Sequence, residues 1–172
     1  MTSFTKRVIG AARLNVDIYE EVEADTTAMG QAMGVVALSS VAAGIGAVGR
    51  EGMQGLFGGL VGALLGWLIW AGMTYFIGTR ILSTPQTHAD WGELLRTTGF
   101  AAAPGMLRIF GIVPGLTGLV FFVAGVWMLA AFVVAVRQAL DYTSTGRAVG
   151  VCLIGWIVNG AIIVFLGFML GR

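Results

Sequence analysis

The chain has 172 residues, of which 57% are hydrophobic and only 11% charged, with 27 glycines and a mean hydropathy of +0.87. This composition excludes an ordinary soluble domain and points to an integral membrane protein with an all-α, polytopic helical bundle. A net charge of +1 without any basic block excludes the electrostatic tracking of nucleic acid.

Residues 1–27 read as an amphipathic and acidic interfacial segment. They hold five acids and no cleavable apolar core, so no signal peptide is expected. Phe4, Val8, Ala12 and Val16 recur every four positions, with Lys6 and Arg13 on the opposite side, which predicts a short interfacial helix over 3–16. The stretch "LNVDIYEEVEAD" then packs Asp17, Glu20, Glu21, Glu23 and Asp25, five of the chain's nine carboxylates, into nine positions. Asp17, Glu21 and Asp25 share one helical stripe and repel, so a cationic counterpart is required. Asp25, Thr26 or Thr27 is positioned to cap the first span.

Residues 28–172 form the predicted transmembrane bundle. Uncharged stretches at 26–49, 52–79, 109–136 and 148–171 each exceed the ~20 residues a helix needs to cross hydrocarbon. A fifth segment, 97–113, is apolar but short, with Pro104 inside and Arg108 near its end. The expected spans are 28–48, 55–80, 97–113, 116–136 and 148–171, about five in all. Four spans plus a re-entrant hairpin at 97–113 is the alternative. Counting Lys and Arg gives seven inside against three outside for a cytoplasmic N-terminus in either arrangement, so charge orients the chain without choosing between them.

Within the spans, Gly58, Gly62 and Gly66 make two consecutive GxxxG steps, a pattern that predicts close helix packing. Pro104 should kink its helix, because it removes a backbone donor and clashes with the preceding turn. Arg108 and Asn159 are the intramembrane polar residues. Arg108 is expected to snorkel or to pair with Glu51, with a substrate or lipid-headgroup role as the alternative, and Asn159 to hydrogen-bond across a helix interface.

Chemistry-bearing patterns are scarce. One histidine, His88, lies in a turn-like loop, and neither Walker, G-x-S-x-G nor H-E-x-x-H patterns occur. Ser39 and Ser40 stand in the first span without a base, and Cys152 reads as a small buried hydrophobe. No catalytic, cofactor-binding or metal residue is expected, and no cofactor.

The segments "LNVDIYEEVEADTTAMGQAMGVVALSSVAAGIG", "WAGMTYFIGTRIL", "LLRTTGFAAAPGML" and "VWMLAAFVVAVRQALDYTSTGRAVGV" together resemble the bacterial-type branch of the Yip1-domain family. The resemblance spans nearly the whole chain and implies about five spans with a cytoplasmic N-terminus. Eukaryotic members serve vesicle traffic and engage prenylated Rab GTPases. That partner is not expected here, since the long N-terminal region of those relatives is lacking.

In the five-span arrangement Arg80, Arg96, Arg137 and Arg147 emerge on the same side as the acidic run. They are therefore the expected partners of an acidic latch docked under the bundle. A solvated run, and a divalent cation or a protein partner on the same run, are the competing expectations. The resulting functional expectation is a non-enzymatic membrane scaffold or accessory subunit, binding the bilayer and other membrane proteins or itself. A small transporter or channel with a polar site at Arg108 and Asn159 is the alternative, and the expected location is the bacterial inner membrane.

Overall fold

Helix α1 (Phe4–Ala12) starts at Ser3, whose side chain accepts from the Lys6 N–H, and buries Arg7 and Ala11 on one stripe. Leu14 then takes a left-handed conformation (φ 60°), and Asn15 caps α2 (Val16–Ala24) by accepting from the Asp17 N–H. A left-handed leucine costs roughly 1–2 kcal/mol, and Leu14 offsets this by packing against the main apolar core. The turn folds α2 back on α1, and the Tyr19 hydroxyl donates to the Ala11 carbonyl at 3.1 Å. The predicted single helix over 3–16 is therefore the first arm of a helical hairpin.

The computed structural model describes residues 2–51 and 55–170, with the backbone alone at 48–51, 55–58, 159–160 and 162–170. After a 3-10 turn at Thr26–Ala28 come α3 (Met29–Glu51), α4 (Gly55–Phe76) with a π-helical end at Ile77–Ile81, and α5 (Trp91–Phe100). A 3-10 segment at Ala103–Ile112 follows, then α6 (Thr117–Ala139) and α7 (Thr145–Leu170). Every regular element among the described residues is helical. Among the described residues, three stretches are long and apolar enough to cross a membrane: Thr26–Ala47, Gly59–Ile81 and Thr117–Ala139, with Thr145–Val158 a shorter apolar helix.

Residues 97–113 differ from expectation. They are not one α-helix kinked at Pro104. Instead α5 ends at Phe100, and Pro104 stands in the first turn of a separate 3-10 segment. A proline fits there because its missing N–H belongs to a position with no intrahelical acceptor. The 3-10 form rises about 2.0 Å per residue against 1.5 Å for an α-helix, so a short segment reaches further across the bundle.

Close contacts order the helices. A Cβ on Gly99 would stand 2.8 Å from the Ala32 Cβ, one on Gly105 would strike the Ser39 hydroxyl, and one on Gly111 would lie 3.1 Å from the Gly46 carbonyl. Ascending numbers match ascending numbers, so the segment runs beside α3 in the same direction and does not double back. Gly105 also meets Met128, and Gly111 meets Phe121, so α6 runs the opposite way. Trp67 donates to Thr98 and Gly72 abuts Trp91, which sets α4 antiparallel to α5. Gly150 beside Leu82 and Gly155 beside Trp70 place α7 antiparallel to α4.

Gly62 and Gly66 of the second span find no close neighbour among the described residues. A Cβ on Gly62 or Gly66 would meet nothing within 4 Å, and Gly58 lies outside the described side chains. Tight packing falls instead on Gly99, Gly105 and Gly111 against Ala32, Ser39 and Gly46. Six residues make two turns of a 3-10 helix, so Gly105 and Gly111 keep to one face, and seven make about two turns of an α-helix, which does the same for Ala32, Ser39 and Gly46.

Candidate functional site: an N-terminal clamp and a polar-ended cavity

The acidic run is ordered, and its counter-cation is Arg7. This guanidinium, 2% exposed, donates from Nε and NH2 to Glu21 Oε1 at 3.1 and 2.7 Å, and from NH2 to Asp25 Oδ2 at 2.7 Å. Its NH1 reaches Gln31 Oε1 at 3.1 Å, in the first turn of α3. The Thr2 backbone N–H and hydroxyl also donate to Glu21. Asp25 in turn accepts from the Thr27 N–H at 2.9 Å and caps the turn that leads into α3. One buried charge thereby ties α1, α2 and the start of the first span together. Burial works against the Arg7 charge, and its hydrogen bonds to Glu21 and Asp25 outweigh that, leaving the pKa raised.

These contacts replace the expected latch. The ion pairs found among the described residues are Arg7–Glu21 and Arg7–Asp25, and neither involves Arg80, Arg96, Arg137 or Arg147. Arg96, 5% exposed, does hold the acidic helix, but by its backbone: Nε donates to the Val22 and Glu23 carbonyls at 3.0 and 3.1 Å, and NH2 also donates to Glu23. These are free C-terminal carbonyls of α2, where a cation satisfies both the hydrogen-bond deficit and the helix dipole. Glu20 accepts from Gln138 at 3.0 Å, Arg137 donates to the Tyr142 carbonyl, Arg147 reaches the Leu82 carbonyl at 3.5 Å, and Arg80 and Asp17 are exposed. Trp127 pins the end of α1 by donating to the Ala12 carbonyl at 2.7 Å. The hairpin is docked, mostly through backbone acceptors.

Arg7 was not among the expected partners. The signal was present, because Phe4, Arg7, Val8 and Ala11 form one stripe, and a cation on the buried stripe of a helix requires carboxylates.

The acids do not share one environment. Glu21 is held down to about 2 by the Thr2 hydroxyl and by Arg7. Asp25 is also lowered, by Thr27 and then Arg7. Glu23 is pushed up to about 7 by burial, with Glu93, Asp141 and Glu20 adding like charge and Arg96 opposing.

A second polar feature lies inside the bundle. A cavity of about 850 Å³ is bounded by α3, α4, the 3-10 segment, α6 and α7. Its walls are mostly apolar, with Ser39, Ser40, Trp70 and Arg108 as the polar side chains. The Arg108 guanidinium carbon sits 5.6 Å from the centroid of the Phe121 ring. Arg108 Nε and Trp70 Nε1 are buried and have no hydrogen-bond partner among the described residues. The expected Arg108–Glu51 pair lies outside the described side chains, as does Asn159.

His88 is exposed in the loop before α5, and Cys152 is buried and free. Among the described residues, no three His, Cys, Asp or Glu side chains are grouped to hold a metal. Alternating apolar helices, capped at one end by a clamped polar hairpin, define a multi-pass membrane protein of the all-helical class. Residues 18–167 match the Yip1 domain, and the chain belongs to that family. No curated protein and no solved structure matches it.

Proposed function

We propose that this Yip1-domain protein crosses the membrane five times and acts as a non-enzymatic scaffold or accessory subunit of a membrane complex, or in membrane organisation. The alternating helix directions support five crossings. So does the reach from Thr97 to Ile112, roughly 28 Å when α-helical and 3-10 rises are combined, against a hydrocarbon core of about 30 Å. Arg7, Arg80, Arg96, Arg137 and Arg147 gather at the end that carries the clamped hairpin, which supports a cytoplasmic N-terminus and, for a bacterial-type member, the inner membrane.

The scaffold reading is carried by the open glycine face of α4. Gly62 has no neighbour over its Cα atom, while Val61, Leu65 and Ile69 are 54–58% exposed beside it; the open space over Gly66 belongs to the cavity. Such a face admits the close approach of a further helix, from another membrane protein or a second copy. A Rab GTPase is not the proposed partner. The test is purification from native membranes with mass spectrometry of co-purifying proteins, with Gly62→Leu as the blocking variant. A stoichiometric partner or dimer lost in the variant supports the reading; a monodisperse single chain in both overturns it.

A second reading, a small transporter or channel around Arg108 and Asn159, is favoured by the polar-ended cavity. Solute flux in liposomes that disappears in Arg108→Ala would select it.

A further inference from the structure

We infer that the cavity beside α3 is a binding site for one phospholipid, with its phosphate at Arg108 and an acyl chain lying inward along Trp67, Met128 and Phe132. The inference is independent of the scaffold reading.

Depth supplies the first argument. Along α3 the cavity walls run from Val36 to Ala47, about 16 Å at 1.5 Å per residue, or half of a ~30 Å hydrocarbon core. This is the depth of one leaflet. Arg108 stands at the outer end of that run, because its backbone carbonyl is pressed against Gly46. The leaflet is thus the one opposite the arginine-rich end that carries the hairpin.

Charge supplies the second. Arg108 forms no ion pair among the described residues, its Nε is buried without an acceptor, and the Phe121 ring beside it is a surface that holds a guanidinium while contributing no hydrogen-bond acceptor of its own. Arg108 as a whole is half-buried, and a cation held between apolar side chains at this depth is stabilised by an anion beside it. A phosphate diester offers the planar fork of arginine two acceptor oxygens at once. Trp70 Nε1 at the inner end is also unpaired, but it is neutral and its desolvation weighs far less than that of the guanidinium.

Access supplies the third. Phe122 and Trp156 line the cavity and are yet 70% and 67% exposed, so it opens sideways between apolar side chains. In a bilayer that opening faces acyl chains, and a lipid is the anion-bearing molecule that enters by such a path.

The test uses the full chain, delipidated in detergent and titrated with phosphatidylglycerol, read by native mass spectrometry. The expected result is one tightly retained phosphatidylglycerol per chain. Arg108→Gln should weaken retention at least tenfold and Arg108→Lys should restore most of it. Gly125→Leu, which fills the cavity from a position with open space around it, should abolish retention while keeping the arginine. Wild-type protein that retains no phospholipid overturns the proposal whatever the variants do. So does folded Arg108→Gln or Gly125→Leu that retains lipid as wild type does. Displacement of the lipid by millimolar inorganic phosphate would assign the site to a free anion and overturn it equally.

Discussion

Arg7 NH2 lies 2.7 Å from Asp25 Oδ2 and equally close to Glu21 Oε1, so one guanidinium links the first helix of the chain to the cap of the first span. The arginine is 2% exposed and Asp25 9%, while Glu21 keeps 27% of its surface. Removing the arginine leaves two carboxylates facing each other with no cation. Arg7→Ala should therefore cost roughly 3 kcal/mol, the low end of the range for breaking a buried pair from one side, because Glu21 remains partly solvated. Thermal unfolding in detergent measures it. Arg7→Lys should recover only part, since an ammonium cannot make the forked contacts with Glu21, Asp25 and Gln31 together.

The carboxylates of the hairpin titrate in opposite senses, and the pH profile should show both. For Glu21 the folded pKa of about 2 lies below the ordinary 4.5, so its contribution is present above pH 4.5 and is lost as the pH falls toward 2. Glu23 rises to about 7, so the folded state holds its proton more tightly. Stability is then fully present below about 4.5 and declines as the pH climbs to 7. Glu23→Gln should flatten the decline between pH 4.5 and 7 and leave the acid limb intact. Melting temperatures measured from acid to mildly alkaline pH decide the matter, and an unchanged slope in the variant contradicts the assignment.

Arg96 holds α2 by two carbonyl oxygens, and Arg96→Ala should release them. Hydrogen bonds from a charged donor contribute about 1.5–3 kcal/mol. The expected phenotype is local: faster proteolysis within residues 1–25 and faster amide exchange in α2, with the spans still folded. Uniform loss of protection across the chain would show that Arg96 supports the bundle as well.

Glycine substitutions should separate packed from open positions. Gly105→Val meets the Ser39 hydroxyl and Met128, and Gly46→Ala meets the Arg108 carbonyl, a backbone atom that cannot rotate aside. Each should destabilise by about 1–3 kcal/mol through overpacking. Gly66→Ala enters open space and should be neutral or slightly stabilising, since alanine favours the helix. Equal effects at Gly46 and Gly66 would contradict the seam along the 3-10 segment.

The seam also shows why a readable pattern was misread. Gly58, Gly62 and Gly66 obey a familiar spacing, but spacing cannot say whether a neighbour is present. Gly105 and Gly111 stand six apart, a period that returns to one face in a 3-10 helix but not in an α-helix, and Gly99 precedes them near the end of α5. Reading 97–113 as α-helix scattered those glycines around it. Arg96 is expected from the sequence as an ion-pair partner of the acidic run, yet its acceptors are carbonyl groups, and side-chain charge counting does not see a backbone.

Hydropathy and charge, properties of the linear chain, determined the helical membrane class and the main apolar segments. Hydrocarbon imposes helix on any long uncharged run, wherever its neighbours lie. Only tertiary structure decided which cation neutralises the acidic run, which glycines are packed, and that Arg108 faces a cavity. Those depend on which surfaces meet across the bundle, and residues 14 to 118 positions apart meet there.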